Sequence, residues 1–430
     1  IRLHIRPLLL TGLRQSHHAA EQGSNCPSTT RRALLELCPM KELSRLVSSI
    51  PPSETLAVSD RAKALKAAGR DVVALAGGDP DFDTPDYITA AAFQAIENGA
   101  THYPAPMKGI TPLLEAIAQK METDNGVKLN PATDIVVTPG GKWSIFLALS
   151  AVLNPGDEVL YLEPVWVSYP PMITLAGGTP VSVTLSADDN FRITADRLRA
   201  KITSRTKAIM INTPNNPTGR VLTREELDAI VEVVLENDLY VISDEIYETI
   251  IFDGRKHLSV AAEPGMAERT LTINGLSKSH AMTGWRLGWL AGPAPILKLA
   301  AQMNGQTVSS AANFTMHAAV AALKGPKDTT RAMTEAYRKR RDFMVPALNA
   351  IDGVECMDIE GAFYLFPRFP NSTKTSAELA ETLIEKAGIA SVPGGAFGKS
   401  GEGHVRFSIA TAMKDLERAV EKLAKAAHEL

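Results

Sequence analysis

The amino-acid sequence predicts an α/β fold: a large domain whose mostly parallel mixed sheet is sandwiched by helices, with a smaller α+β domain beside it. From about Thr84 onward, short apolar runs alternate with helical patterns, as expected for a sheet buried on both faces. After about residue 325 the pattern changes to Glu/Lys/Arg-rich helices with short strands between them. At 430 residues and 45% hydrophobic content, the chain can fill a large core and is too long for one small domain.

The elements follow in order. Residues 87–98 and 111–124 read as amphipathic helices. The run 134–138 (DIVVT) is a strand ending at Pro139-Gly140-Gly141, and a helical pattern covers 142–153. Asn154-Pro155-Gly156 is a turn before the strand 158–162 (EVLYL). Further strands are expected at 180–185, 207–211 (KAIMI), 239–243 (LYVIS), 270–273 and 287–290, with a helix over 224–236. Helices over 332–351, 376–387 and 413–430 build the second domain. The expected division is an N-terminal arm and part of the small domain over 40–85, a large domain over 86–322 and a small domain over 323–430.

Residues 1–39 differ from the rest. Arg2, Arg6, Arg14, Arg31 and Arg32 stand against only Glu21 and Glu36, with scattered Ser and Thr. This reads either as an organelle transit peptide or as a translated upstream artefact ahead of a helix beginning at Met40. The expected location is the cytoplasm, or a mitochondrion or plastid if the segment is a true transit peptide. The net charge of −3, with no basic stripe in the body of the chain, argues against nucleic acid as a partner. No apolar run early in the chain is long enough for a bilayer span. Cys26, Cys38 and Cys356 form no close pair and no metal-ligand spacing, so they read as reduced thiols and no metal is expected.

In an open parallel sheet, ligands sit beyond the carboxyl ends of the strands. Four strand ends carry polar signals. DIVVT leads to Pro139-Gly140-Gly141-Lys142 and a helix, and KAIMI to Asn212-Thr213-Pro214-Asn215-Asn216-Pro217-Thr218-Gly219. LYVIS leads to Asp244-Glu245-Ile246-Tyr247, and the strand at 270–273 to Asn274-Gly275-Leu276-Ser277-Lys278, with Arg286 further on. Singly, these are ordinary loops, turns, a helix cap and a surface lysine. Together they match the needs of pyridoxal phosphate: an amine for the imine, an acid beside the ring nitrogen, donors for the ring hydroxyl and an anion site. Lys278 is the amine and Asp244 the acid. Asn216 and Tyr247 face the ring hydroxyl. The amides of Gly141 and Lys142 at a helix N-terminus suit a phosphate, with Arg286 as a cationic fork.

With these residues in hand, the chain resembles the class I aminotransferases of pyridoxal-phosphate fold type I, over about residues 45–430. Gly77-Gly78-Asp79-Pro80-Asp81-Phe82-Asp83-Thr84-Pro85 is similar to the family's segment near the substrate, which places Gly78 there. Tyr103 and Gly109 match a Tyr-x5-Gly motif whose tyrosine reaches the phosphate of a neighbouring subunit's cofactor, so the resemblance implies a homodimer with shared active sites. Trp166 matches the ring that stacks on the cofactor. Gly140, Gly141, Lys142, Asn216, Asp244, Tyr247, Ser277, Lys278 and Arg286 fall on cofactor positions. Arg406, in His404-Val405-Arg406-Phe407-Ser408, matches the arginine that grips the substrate α-carboxylate, and 361–364 would line the same pocket. Read alone, a mid-strand arginine in apolar surroundings is more simply a structural salt bridge. Val165, Leu114 and Gly275 depart from common family residues and bear on the substrate more than on the chemistry.

The resemblance implies ping-pong transamination, with the freed Lys278 amine as general base. Thr55 and Lys142 resemble the positions at which the aspartate/prephenate subgroup engages a distal carboxylate, alongside substrate contacts from Gly78, Trp166, Asn216 and Arg406. That favours amino acids of the aspartate/glutamate type and their 2-oxo acids, with prephenate a further acceptor. Lys142 reads equally as a helix-start lysine. The stretch from Ser277 to Arg286, with His280, also resembles broad-specificity and arginine–pyruvate aminotransferases. A carbon–sulfur β-lyase shares every cofactor residue and is the alternative on the same scaffold. A nicotinamide dehydrogenase is disfavoured because no G-x-G-x-x-G follows a first strand.

Overall fold

A computed structural model describes residues 41–429. The segment 1–39, Met40, Cys26 and Cys38 lie outside the described residues. Within 41–49 the chain makes a helical turn, Arg45–Ser48, capped by Ser44, whose Oγ accepts from Val47 N at 3.3 Å. Residues from Ile50 onward are a separate compact unit.

That unit begins with α1 (Glu54–Ala67) and β1 (Val73–Ala74), followed by α2 (Asp86–Glu97) and α3 (Thr111–Asn125). Strands and helices then alternate: β2 (Ile135–Thr138), α4 (Gly141–Val152), β3 (Glu158–Glu163), α5 (Tyr169–Leu175), β4 (Thr179–Thr184), α6 (Ala195–Arg199) and β5 (Thr206–Asn212). Next come α7 (Arg224–Glu236), β6 (Tyr240–Asp244), β7 (Thr270–Gly275) and β8 (Gly288–Ala291). The rest comprises α8 (Ala294–Thr307), α9 (Asn313–Lys324), α10 (Asp328–Asn349), β9 (Tyr364–Leu365), α11 (Ser376–Thr382), β10 (Ile389–Ala390), β11 (Val392–Pro393), β12 (Val405–Ser408) and α12 (Met413–Ala426). Among the described residues, no helix is long and apolar enough to cross a membrane.

The large sheet has the order β2-β8-β7-β6-β5-β3-β4. Only β8 runs antiparallel to its neighbours, so the sheet is mostly parallel and mixed, as expected. All its strands stand where the apolar runs placed them. Side chains alternate between faces with the period of two that a pleated strand imposes. Leu160, Leu162, Ile209, Ile211 and Val241 meet Leu227, Ile230, Val233 and Val234 of α7 on one face. Val159, Met210, Ile242, Leu271 and Ile273 meet Ile145, Leu147, Ala148 and Leu149 of α4 on the other. Burying each of these Val, Leu, Ile and Met side chains contributes roughly 1.5–3 kcal/mol.

Register decides where the polar strand ends go. Asn212 pairs with Asp244, and Asp244 pairs with Ile273. The loops after β5, β6 and β7 therefore open side by side at one edge of the sheet.

Two small sheets join distant parts of the chain. β1 pairs in parallel with β10, and β11-β12-β9 form an antiparallel sheet. Their core holds Tyr337 and Met344 of α10, Phe363, Phe407, and Leu416 and Leu423 of α12. The boundary expected between 322 and 323 falls within α9, which runs to Lys324. α10 starts at Asp328 rather than 332. The helix expected over 376–387 ends at Thr382 and continues as a π turn, Leu383–Ala387. Helices α1, α5, α6, α8 and α9 were not anticipated. α1 buries only Ala62 and so shows no apolar stripe. α9 (NFTMHAAVAALK) buries mainly small alanines, which blur its periodicity.

Candidate active site

The neighbouring strand ends open into a cavity of about 620 Å³, within the range of small-molecule sites. It is lined by Thr55, Gly78, Gly141, Lys142, Trp166, Asn216, Asp244, Tyr247, Ser277, Lys278, Arg286, Tyr364 and Arg406, among others. Lys278 and Asp244 thus share one cavity. Most residues proposed from sequence meet there, and the exceptions are Gly140 and Tyr103. Gly140 lies one residue before the lining. Tyr103 is 76% exposed and borders a separate surface hollow with Val308 and Ser309, outside the cavity of its own chain.

Asp244 ends β6, buried at 5% exposure. Tyr169, at the start of α5, donates its hydroxyl to Asp244 Oδ2 at 2.6 Å, and Ile246 N donates to Oδ1 at 3.2 Å. Burial pushes the Asp244 pKa up to about 6, although both hydrogen bonds favour the carboxylate. Tyr169 is the main residue that sequence reading missed. The available signal was its place three residues after Trp166, at the first turn of a short helix.

Lys278 lies in the loop after β7, and its ammonium donates to the carbonyl of Gly78. No carboxylate pairs with it directly among the described residues. Burial draws its pKa down to about 8, with Asp79 opposing the shift and Arg406 and Arg286 adding to it. A neutral amine is therefore accessible near neutrality, as a nucleophile or base requires. We expect the rate at which the apoprotein captures an aldehyde cofactor to rise about tenfold per pH unit below about 8 and then level off. Absorbance-monitored capture across pH checks this. A midpoint near that of a free lysine would show that burial does not set the reactivity.

Arg406, in β12, is 2% exposed. Its Nη1 donates to Asn216 Oδ1 at 3.0 Å and its Nη2 to Ala76 O at 2.8 Å. It lies 4.3 Å from the Tyr364 ring centroid and 5.1 Å from that of Phe397. Its Nε has no partner, and no acid pairs with it among the described residues. The salt-bridge reading of this arginine is therefore not what the structure contains. A buried guanidinium without a counter-charge is costly unless a ligand anion completes it.

The N-terminus of α4 faces the same cavity. Gly140 precedes it at φ +94°, and a Cβ there would lie 2.5 Å from Arg286 Nη2. A Cβ on Gly288 would lie 2.7 Å from Gly141 N, so both glycines keep the helix end open. Arg286 donates to Thr283 O at 2.7 Å and has no acid partner among the described residues. A helix N-terminus beside a guanidinium that has only carbonyl partners suits an anion. Lys142 lies 4.8 Å from the Trp166 ring centroid, and its pKa is lowered by burial and by Arg286.

Tyr247 and Tyr364 share a hydrogen bond at 2.9 Å, and burial raises the Tyr247 pKa well above that of an ordinary phenol. Thr55, in the cavity lining, lies with its Oγ1 3.1 Å from Ser53 Oγ. His280 does not line the cavity. Its pKa is pushed down to about 4 by burial, and it meets Ser279 Oγ at 2.8 Å.

A half-buried amine, a buried acid, an anion-binding helix end and a second buried cation define an enzyme that handles amines carrying acidic groups. The chain belongs to the class I and II aminotransferases, whose family model matches residues 70–423. It is 44% identical over 396 residues to the aspartate/prephenate aminotransferase of Cereibacter sphaeroides, covering 89% of this chain and 98% of that one. It is 40% identical over 389 residues to aromatic-amino-acid aminotransferase 2 of Thermococcus litoralis, covering 90% and 98%. Among solved structures, the aspartate aminotransferase of Thermus thermophilus with maleate superposes with a TM-score of 0.85 at 41% identity, covering 90% of this chain and 100% of that one.

Proposed function

We propose that the protein binds pyridoxal 5'-phosphate and moves an amino group between an aspartate- or glutamate-type L-amino acid and a 2-oxo acid. The observation that carries this is the meeting of Lys278, Asp244 and the acid-free Arg406 in one cavity. The residues fit the cofactor. The α4 N-terminus and Arg286 form a cradle that a Cβ at 140 would fill, and Arg406 Nε is an orphaned donor awaiting an anion.

Lys278 would tether the cofactor, and Asp244 would hold a proton on its ring nitrogen. Asn216 spends Oδ1 on Arg406, which leaves Nδ2 to donate to the ring hydroxyl oxygen together with Tyr247. Trp166 would cover the ring. Ser277, Arg286 and the amides of Gly141 and Lys142 would hold the phosphate. When bound, the cofactor supplies an electron-poor ring that stabilises negative charge at the substrate α-carbon. Arg406 holds the substrate α-carboxylate, with Gly78 lining the same space. Lys278 Nζ, once free and neutral, takes the proton from the α-carbon, and Gly78 O accepts a hydrogen bond from the ammonium so formed. Tyr103 lies outside its own cavity, which suits a homodimer in which it serves the partner's phosphate site.

The cavity offers Lys63, Lys142, Lys278, Arg286 and Arg406 against Asp79 and Asp244. With Lys278 given to the cofactor, Arg286 to phosphate, Arg406 to the α-carboxylate, and Lys63 79% exposed and paired with Asp60 at 3.5 Å, Lys142 is the cation left for a distal carboxylate, in the cavity that Thr55 also lines. The names of the aspartate/prephenate and aspartate aminotransferase relatives support the same substrates, and the maleate of the Thermus structure is a dicarboxylate.

The test mixes the cofactor-loaded enzyme with single amino acids and follows bleaching of its visible band. Aspartate and glutamate should bleach it, and a response to arginine without either would overturn the substrate assignment. Release of pyruvate and ammonia from cystathionine, with no 2-oxo acid added as acceptor, would instead indicate the β-lyase. Lys142→Met is expected to raise KM for aspartate by about 10- to 100-fold, the value of one hydrogen bond to a charged group. KM for alanine should stay level, and an equal rise for both would assign Lys142 to the cofactor.

A further inference from the structure

The segment 77–85 runs between the loop that carries Lys278 and helix α10. On one side it is fastened to the lysine loop. Lys278 Nζ donates to Gly78 O, and Thr283 Oγ1 donates to Asp79 Oδ1 at 2.6 Å. Thr84 Oγ1 donates to Ala281 O at 2.7 Å and accepts from Trp285 Nε1 at 2.9 Å.

On the other side it is fastened to α10. Arg340 makes a fork on Asp81, Nη1 to Oδ1 at 2.7 Å and Nη2 to Oδ2 at 2.8 Å. Nη1 also donates to Ile409 O at 3.1 Å. The guanidinium lies 5.2 Å from the Phe82 ring centroid and 5.4 Å from that of Tyr337, and these two rings meet edge to face at 5.6 Å. Arg340 is 8% exposed and does not line the cavity, so the role of Lys278, Asp244 and Arg406 does not account for it.

We propose that Arg340 is a positioning residue: through Asp81 it clamps the segment that places Gly78 O and Asp79 against Lys278. The planar fork fixes Asp81 in direction as well as in distance. Gly78 and Asp79 lie only a few residues from that anchor, so a loosened Asp81 lets both drift. Gly78 O and the Asp79 carboxylate are the groups nearby that favour the charged amine, with Asp244 adding at longer range. Their drift therefore makes Lys278 easier to deprotonate while spoiling its aim at the substrate.

This inference rests on Lys278 being the cofactor-binding amine, so the experiment begins with borohydride fixation of cofactor to wild-type enzyme. Failure of fixation at Lys278 overturns that reading. With fixation present, Asp81→Asn and Arg340→Met are compared with wild type for cofactor capture by the apoprotein against pH, and for kcat and KM of the loaded enzyme. Both variants should move the capture midpoint to lower pH and lower kcat by about tenfold or more, since small misplacements are costly. The double variant should be no worse than the worse single, because both remove one interaction. Arg340→Lys should recover part of the loss. Wild-type capture profiles with wild-type kcat overturn the clamp, even if thermal stability falls. Asp81 is a quarter exposed on its side chain, so its amide variant keeps the test available if Arg340→Met does not fold.

Discussion

Replacing Lys278 with alanine is expected to lower kcat by at least about 10⁴-fold, the upper range for losing a positioned general base and here combined with loss of the tether. The structure predicts that the variant folds normally. Lys278 makes one hydrogen bond, to Gly78 O, and burial disfavours its charge. Removing the desolvated amine strands no acid, because Asp79 keeps its hydrogen bond from Thr283 and Asp244 keeps those from Tyr169 and Ile246. Thermal stability of the apoprotein should stay level or rise while turnover disappears. Steady-state assays with aspartate and 2-oxoglutarate, together with borohydride trapping, separate the two effects. Retention of near-normal activity would place the amine elsewhere and remove the basis of the proposed mechanism.

Much of this site was legible because strand chemistry and site chemistry coincide in the chain. Short apolar runs such as KAIMI and LYVIS mark buried strands, and in a parallel sheet the residues that follow them are forced to one edge. Asn216, Asp244 and Lys278 could therefore be grouped before any geometry was known, and register does bring the ends of β5 and β6 into line. The antiparallel course of β8 could not be read, since an apolar run has no direction. α1 was invisible for a different reason: it lies on the surface, and its residues owe their placement to neighbours instead of to an apolar stripe of their own. Thr55 on that helix was nevertheless placed, by resemblance alone.

Contacts between side chains distant in sequence were the least legible. Tyr169 reaches Asp244 across 75 positions, and Arg340 reaches Asp81 across 259. Neither residue type nor local spacing announces such a pair. For Arg406, local context suggested an acid partner, whereas the structure supplies an amide oxygen, a backbone carbonyl and two aromatic rings. A strand arginine with neutral partners cannot be told from a salt-bridged one until the facing residues are known.

Asp244→Asn is expected to lower kcat on the order of 10³-fold, the scale for removing one preorganised charge partner in a closed site. The shape of the site should survive. An amide oxygen can still accept from Ile246 N, and the Tyr169 hydroxyl can turn to accept from the new NH₂ group. What is lost is the negative charge that keeps a ring nitrogen protonated. In the apoprotein Asp244 titrates at about 6, so below that pH it is already neutral and cofactor binding must first release its proton. Affinity of the wild type should therefore fall more steeply than that of the Asn variant as pH drops below about 6, where protonation of the cofactor's phosphate weakens both. Tyr169→Phe tests the same point more gently. Loss of its hydrogen bond removes a contact that favours the carboxylate, so the steeper fall should move to higher pH and kcat should fall by about 10- to 100-fold. Titration of the cofactor's visible band in the three proteins measures these shifts directly. An Asn variant with wild-type turnover would show that the ring needs no anion at this strand end.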